Sequence, residues 1–267
     1  MPPRRSKVAE SSVEKSTPRV HRVFQPVNWY ECMPEEYRAA IRTYASYEDM
    51  KIEIPFRALL LGNSGSGKSN ILLNIIFGLN CFSRIFIINR SGDEPLYNFL
   101  GGMCKDIEKK YKAKEGTILT LVKSIHELPS LDYFKKHKTS KKGEDSNTLF
   151  IFDDFVGLPE HELDQMDKIC TTYRKGEVSC IFLGQSYTKI PPTVRKNSEY
   201  IFIKKVPLQS ELNMILRQYP LLYTKEQLKA FYDKCDCHTL HNFMLIDLKP
   251  PEPCYQLRRN FEPSAVN

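Results

Sequence analysis

The sequence predicts an α/β fold in which helices cover both faces of a mostly parallel central sheet. Short, wholly apolar segments alternate with helical patterns along the 267 residues. Strands that are apolar on both faces are typical of parallel sheets buried between helices. A glycine-rich loop also joins the first apolar segment to a helical pattern, which is the arrangement of a phosphate-binding α/β domain.

The elements can be assigned in order from apolar periodicity and from turn residues. We predict strands at 55–61, 84–89, 116–122, 148–152, 180–185, 200–203 and 242–247. We predict helices at 34–48, 68–79, 95–112, 160–174, 209–218 and 224–234. No internal repeat interrupts this alternation.

The glycine-rich loop matches the pattern G-x-x-x-x-G-K-[ST] without a gap. Its glycines let successive backbone N–H groups point inward and cradle phosphate groups at the positive end of the next helix. We expect Lys68 to reach the β- and γ-phosphates and the Ser69 hydroxyl to bind Mg²⁺. The sequence therefore predicts a P-loop NTPase that binds ATP through Gly62, Asn63, Ser64, Gly65, Ser66, Gly67, Lys68 and Ser69.

Two acidic residues follow the apolar segment 149–152. Phosphoryl transfer needs a group that holds the metal and, for hydrolysis, a group that orients water. We expect Asp153 to hold Mg²⁺ and Asp154 to polarise the attacking water. If the strand that ends before Gln185 lies between the loop strand and the acidic strand, Gln185 would face the γ-phosphate. A glutamine that only caps the strand end is the alternative.

Composition sets the broad class and the limits of the domain. The net charge of +7 permits a polyanionic partner without requiring one. Eight cysteines without paired spacing and no leader favour a reducing intracellular compartment, and no apolar run approaches the roughly 20 residues of a membrane span. We expect a disordered basic tail at 1–20, an N-terminal arm at 21–50, the P-loop ATPase domain at 51–249 and a C-terminal tail or docking arm at 250–267.

Three stretches of this sequence resemble the FtsK–HerA superfamily of DNA-pumping ATPases. They are residues 62–69, residues 149–154, and Arg174 followed by 179–186. The stretch 185–197 is closer to the poxvirus-type genome-packaging ATPases of large DNA viruses, virophages and Polinton-like elements. The resemblance covers roughly residues 55–262, and it implies the additional-strand, RecA-like type of P-loop fold.

The resemblance implies a motor that hydrolyses ATP and threads double-stranded DNA into a preformed capsid. It further implies a homo-oligomeric ring, a capsid or portal-vertex protein as partner, and an assembly site inside an infected cell. Arg174 matches the position of an arginine finger that acts on a neighbour's site, and Arg195 is the rival finger. A surface charge or a structural ion pair is the alternative for either arginine. By the same resemblance Asp153 holds Mg²⁺, Asp154 activates water and Gln185 senses the γ-phosphate.

Other interpretations remain open at this point. A nucleotide or small-molecule kinase would carry an arginine-rich lid helix, which is not evident, and a nucleotide-gated scaffold would not need Asp154. The lysine-rich stretch 135–142 is either a DNA contact or a solvated loop. The cluster Cys235, Cys237, His238 and His241 departs from the spaced pairs of structural zinc sites. His126 and His161 are expected to be ordinary surface residues.

Overall fold

The fold is known for most of the chain beyond residue 43. The structure is a computed structural model, and it describes residues 44, 46–90, 92, 94–114, 116–136, 147–153, 155, 157–219 and 221–263. These residues belong to one compact unit that runs from Ile41 to Asn267.

The described residues form a nine-stranded sheet with the order β3-β2-β4-β5-β1-β6-β7-β8-β9. Neighbouring strands from β3 to β6 in this order are parallel, and β7, β8 and β9 continue the sheet antiparallel. The prediction of a mostly parallel sheet is therefore confirmed. The strands are β1 Arg57–Leu61, β2 Arg84–Asn89, β3 Leu119–Val122, β4 Thr148–Asp153, β5 Val178–Gly184, β6 Tyr200–Ile203, β7 Met244–Asp247, β8 Leu257–Arg259 and β9 Glu262–Pro263.

Strand β1 is the middle strand of the nine-stranded sheet, and all five of its residues are buried. It pairs with β5 on one side and with β6 on the other, so that Leu59 is opposite Phe182 and Ile201. Strand β5 in turn lies between β1 and β4. This is the additional-strand arrangement on which the prediction for Gln185 depended.

Helices cover both faces of the sheet, as the sequence predicted. The helices are α1 Tyr47–Met50, α2 Lys68–Leu79, α3 Pro95–Lys110, α4 Leu131–Lys136, α5 Glu160–Thr172, α6 Pro192–Asn197, α7 Gln209–Gln218 and α8 Lys225–Lys234. The alternating residues of β1 divide between two apolar clusters. Leu59 and Leu61 join the cluster that contains residues of α5 to α8, whereas Ala58 and Leu60 join the cluster that contains residues of α2 and α3.

The sequence reading missed four short elements. Helices α4 and α6 each have six residues, which is too short for a helical period to show. The segment from residue 250 onward was expected to be a tail or docking arm, but it contributes β8 and β9 to the sheet. These strands have three and two residues, so they carry no alternation that a sequence pattern could reveal. Most of the helix predicted at 34–48 lies outside the described residues.

A buried arginine fastens β8 to the segment before β1. Arg258 is fully buried, and its guanidinium donates hydrogen bonds to the carbonyl oxygens of Met50 at 2.6 Å, Lys51 at 3.1 Å and Tyr255 at 3.0 Å. It also forms an ion pair with the equally buried Asp247 at the end of β7. The C-terminal strands are therefore an integral part of the sheet.

A second charged cluster lies at the amino edge of the parallel strands. Arg57, the first residue of β1, is buried and donates to the carbonyl oxygens of Cys170 at 2.8 Å, Phe56 at 2.9 Å and Val178 at 2.7 Å. Beside it, Glu199 forms ion pairs with Arg174 and Lys249.

Among the helices of the described residues, none combines the length and apolarity that crossing a bilayer requires.

Candidate active site

The glycine-rich loop follows β1 directly and leads into α2 at the carboxyl edge of the sheet. Gly67 is the N-cap of α2 and has a φ of 93°, in the region that favours glycine. A Cβ at Gly67 would lie 2.4 Å from the carbonyl oxygen of Leu240, and one at Gly62 would lie 2.6 Å from the Cβ of Lys204. Gly67 therefore needs glycine for its backbone conformation and for steric reasons, and Gly62 needs it for steric reasons.

Lys68 is held at the floor of this loop. Its ammonium donates to the carbonyl oxygens of Gly62 at 2.9 Å and Asn63 at 3.0 Å. Burial lowers the pKa of Lys68, while the charges of Asp153 and Glu94 act in the opposite direction. The Lys68 side chain is therefore a partly desolvated cation close to the carboxylates of Asp153 and Glu94, which line the same cleft.

Two polar atoms of the loop have no hydrogen-bond partner within the described part of the chain. They are the buried Ser66 Oγ and Asn63 Oδ1. Buried polar groups are nearly always hydrogen-bonded in folded proteins, and the Ser66 hydroxyl is a donor that a phosphate oxygen can accept. The loop therefore fits a phosphate group by its unsatisfied donor as well as by its backbone.

Asp153 faces the loop from the end of β4. The Tyr97 hydroxyl of α3 donates to its Oδ2 atom at 2.7 Å. The pKa of Tyr97 is raised, first by burial and then by the nearby Asp153 carboxylate. Asp153 and Ser69 line the same cleft, and a carboxylate with a hydroxyl suits Mg²⁺, which prefers oxygen ligands. The residues present thus fit the metal that the loop motif implies.

Gln185 follows the end of β5 and lies on the same cleft as Lys68 and Asp153. Its position results from the register of the sheet, because Leu61 is opposite Gly184 and Phe182 is opposite Phe152. A residue of α7 holds the two residues that follow Gln185 in place. Glu211 accepts hydrogen bonds from Ser186 Oγ and from the Tyr187 backbone N–H, both at 2.7 Å.

The cleft has two connected parts that share Lys68, Asp153, Leu183 and Gln185. The part over the glycine-rich loop has a volume of about 650 Å³, and the part toward α7 has a volume of about 530 Å³. The first is also lined by Ser64, Gly65, Gly67, Ser69, Asn70, Glu94, Leu96, Leu240 and His241. The second is also lined by Asn63, Ser186, Lys189, Pro207, Leu208 and Glu211.

The loop between α8 and β7 forms one wall over the glycine-rich loop. The buried Lys204 donates hydrogen bonds to the carbonyl oxygens of Thr239 and Asn242. The Asn70 side chain donates to the carbonyl oxygen of Leu240 at 3.3 Å. These contacts hold Leu240 and His241 beside the loop, where they line the wider part of the cleft.

The structure brings together most of the predicted site residues, but not the arginines. Neither Arg174 nor Arg195 lines the cleft formed by the described residues of its own chain. Arg174 lies at the amino edge, paired with Glu199. Arg195, on α6, stacks its guanidinium over the Tyr187 ring at 4.9 Å.

Several sequence-based expectations fall outside the described residues or receive no support there. Asp154 lies outside them, as does most of the stretch 135–142. Within the described part of the chain, Cys235, Cys237, His238 and His241 do not form a group that could hold a metal ion. The sequence reading missed Glu94, Tyr97 and Glu211, because single residues in helices and loops carry no motif. It also missed the proximity of His126 to His161.

The fold and the site together define a P-loop ATPase. Similar solved structures include the genome packaging NTPase B204 from Sulfolobus turreted icosahedral virus 2 with ATP-gammaS, at 15% identity over 76% of this chain and 95% of that chain, TM-score 0.45. Its complex with sulfate matches at 16% identity over 74% and 94%, TM-score 0.49. The pCW3 conjugation coupling protein TcpA with ATPgS matches at 14% identity over 73% and 59%, TM-score 0.40. Comparison with curated proteins found no match.

A family model for the poxvirus A32 protein matches residues 45–238, well over half of the chain. The chain belongs to this family of genome-packaging ATPases. The resemblance that the sequence motifs indicated is thereby confirmed.

Proposed function

We propose that this chain is the motor subunit that drives double-stranded DNA into a preformed capsid by hydrolysing ATP, and that it works as a homo-oligomeric ring. One observation carries the proposal most directly. Strand β5 lies between the loop strand β1 and the acidic strand β4, so that Gln185, Lys68 and Asp153 line one cleft. A polar residue at that position can respond to the γ-phosphate and transmit its loss to α7 through Glu211.

Each group in the cleft has a distinct role in this proposal. Lys68 and the backbone N–H groups of 62–69 bind the phosphates, and Ser66 adds a side-chain donor. Ser69 and Asp153 hold Mg²⁺, which would neutralise charge on the phosphates when bound. Asp154 orients the attacking water, and Tyr97 fixes the Asp153 carboxylate through its hydroxyl.

Hydrolysis would be completed by an arginine from the adjacent subunit. We assign this role to Arg174, because its side chain is 41% exposed and can reach beyond its own chain. A finger supplied in trans contributes about 10³–10⁵ in rate, because it stabilises the charge of the transition state. Glu199 would remain paired with Lys249 after loss of Arg174, so that the fold should tolerate Arg174→Ala.

DNA-stimulated ATP hydrolysis tests the function itself. Purified protein is assayed with and without long double-stranded DNA, beside Lys68→Ala and Asp154→Asn. We expect stimulation by DNA in the wild type and loss of turnover in both variants. Hydrolysis that DNA does not change would contradict the motor. ATP-dependent phosphorylation of a small acceptor would support the kinase instead, and binding of ATP without turnover would support the scaffold.

A mixing experiment tests the finger. Arg174→Ala should bind nucleotide but not hydrolyse it, and mixing it with Lys68→Ala should restore part of the activity if the finger acts in trans. Arg195→Ala is the matched control. Restoration that occurs with Arg195→Ala and not with Arg174→Ala would assign the finger to Arg195. The capsid or portal-vertex protein would be sought by co-purification with the assembled ring at the assembly site in infected cells.

A further inference from the structure

Two histidines that are 35 residues apart in sequence come together with a buried carboxylate. His126 lies in the 3₁₀ turn that follows β3, and His161 and Glu162 lie in the first turn of α5. One ligand atom from each of the three residues lies within 4.8 Å of the other two. The two imidazole rings are nearly parallel, with centroids 5.5 Å apart.

The Glu162 side chain is the second observation that points to a ligand. Glu162 is only 8% exposed, and its carboxylate forms no hydrogen bond or ion pair with any residue that the structure describes. Glu108, which is more deeply buried, shows the usual arrangement, because its carboxylate accepts hydrogen bonds from the backbone N–H groups of Ile118 at 2.9 Å and Gly116 at 3.2 Å. The carboxylate oxygens of this largely buried side chain keep some access to solvent, and a partly desolvated carboxylate is stabilised by a counter-charge or a metal ion.

We propose that His126, His161 and Glu162 form a binding site for one divalent transition-metal ion of the zinc type. Two imidazole nitrogens and one carboxylate oxygen are a common protein ligand set for Zn²⁺, and a water can complete the tetrahedron. The ligand atoms would need to approach to roughly 3.3 Å of one another, as the usual zinc–ligand distances require. Both histidines are exposed, so that rotation of their side chains can supply this movement while Glu162 stays in place.

The location gives the metal a structural consequence. Helix α5 begins at Glu160, a short connection after Asp153 ends β4. The 3₁₀ turn that carries His126 packs against α5. A metal bound between the two would fasten the start of α5 to the turn after β3, and so restrain the connection that leaves the acidic end of β4.

Zinc binding by the untagged full-length protein tests the site. The protein is stripped with a chelator and titrated with Zn²⁺ by calorimetry in a large excess of Mg²⁺, which competes with zinc for Asp153 and Ser69, and the titration is repeated with Asp153→Asn to identify any zinc bound there. We expect one Zn²⁺ per chain, with affinity reduced at least about tenfold in His126→Ala, in His161→Ala and in Glu162→Gln. His238→Ala, which changes another exposed histidine, should bind like the wild type.

Two further measurements keep the test decisive. Circular dichroism checks that each variant is folded, and Co²⁺ added to the wild type should give visible absorption bands that disappear on addition of Zn²⁺. Absence of stoichiometric binding by the wild type would overturn the proposal. Unchanged affinity in the His126→Ala and His161→Ala variants, or an equal loss in His238→Ala, would also overturn it.

Discussion

The two edges of the parallel sheet differ in what their polar side chains face. Buried polar atoms without a partner among the described residues occur at both edges, such as Arg57 Nη2 and Ser66 Oγ, but those at the carboxyl edge belong to the loop that lines the cleft. At the amino edge, Arg57 donates to three carbonyl oxygens and Glu199 is paired with Arg174 and Lys249. At the carboxyl edge, Ser66 Oγ is buried without a partner among the described residues, and Gln185 is exposed on the cleft. The contrast indicates that Arg57 and Glu199 at the first edge stabilise the fold, whereas polar groups at the second are arranged for a ligand.

The largest effect should come from breaking the buried Arg258–Asp247 pair, which also lies at the amino edge because Asp247 is opposite Tyr200, the first residue of β6. Arg258→Ala would leave Asp247 buried without its cation, and breaking one partner of such a pair costs about 3–5 kcal/mol. Chemical denaturation should show this loss in the free energy of unfolding. A loss below 1 kcal/mol would mean that the three carbonyl contacts and the ion pair contribute little.

At the carboxyl edge the same kind of deletion should leave stability unchanged and weaken the ligand. Ser66→Ala removes a donor that has no partner within the described chain, so that the free energy of unfolding should stay within about 0.5 kcal/mol. Hydrogen bonds to charged groups contribute about 1.5–3 kcal/mol, so the dissociation constant for ATP should rise roughly tenfold or more. If Ser66→Ala were destabilised and bound ATP normally, Ser66 would contribute to the stability of the fold and not to ligand binding, which would contradict the proposed difference between the edges.

Glu211 connects the carboxyl edge to α7, and its removal should separate binding from turnover. Glu211→Ala leaves the Tyr187 N–H without its acceptor and the Ser186 hydroxyl with only Thr188 Oγ1, at 3.0 Å, as a partner, so Gln185 should be less well positioned. We expect kcat to fall about tenfold, which corresponds to one charged hydrogen bond, with little change in KM. Glu211→Gln retains an acceptor and should recover most of the rate; equal defects in both variants would argue against this positioning role.

The smallest effect concerns acid stability at the amino edge. Burial alone raises the pKa of Glu199, but hydrogen bonds from Arg174 and Lys249 outweigh it, so that the pKa lies below its ordinary value of 4.5. The folded state therefore favours the carboxylate. Its contribution to stability is present above pH 4.5 and is lost as the pH falls through the lower folded-state pKa. Unfolding midpoints measured from pH 6 to pH 3 should fall less steeply in Glu199→Gln than in the wild type.

The sequence predicted the central architecture because its signals are local. The apolar strands and the loop at 62–69 are continuous patterns, and α2, β2, β6 and α7 agree with their predicted bounds. The order of the strands in the sheet is not a local signal, because the position of β5 between β1 and β4 depends on the packing of segments that are distant in sequence. The sequence could only make the placement of Gln185 conditional on that order.

Residues that act through contacts across the fold could not be predicted in the same way. Tyr97 meets Asp153 across 56 residues and Arg258 meets Met50 across 208 residues, and neither belongs to a spaced motif. His126, His161 and Glu162 also become neighbours only when the turn after β3 packs against α5. Isolated polar residues acquire such roles only after the chain folds.

The central position of β1 has a consequence for the synthesis of this protein. Strand β1 is made early, but its neighbours in the sheet are β5 and β6, which end at Gly184 and Ile203. At usual translation rates the ribosome needs on the order of ten seconds to add these residues after β1. During that interval the apolar segment of β1 cannot pair with β5 or β6, and the glycine-rich loop is not supported by a formed sheet. The nascent chain therefore acquires a nucleotide-binding conformation only after Ile203 has been translated, and until then β1 is an exposed apolar segment of the kind that chaperones bind.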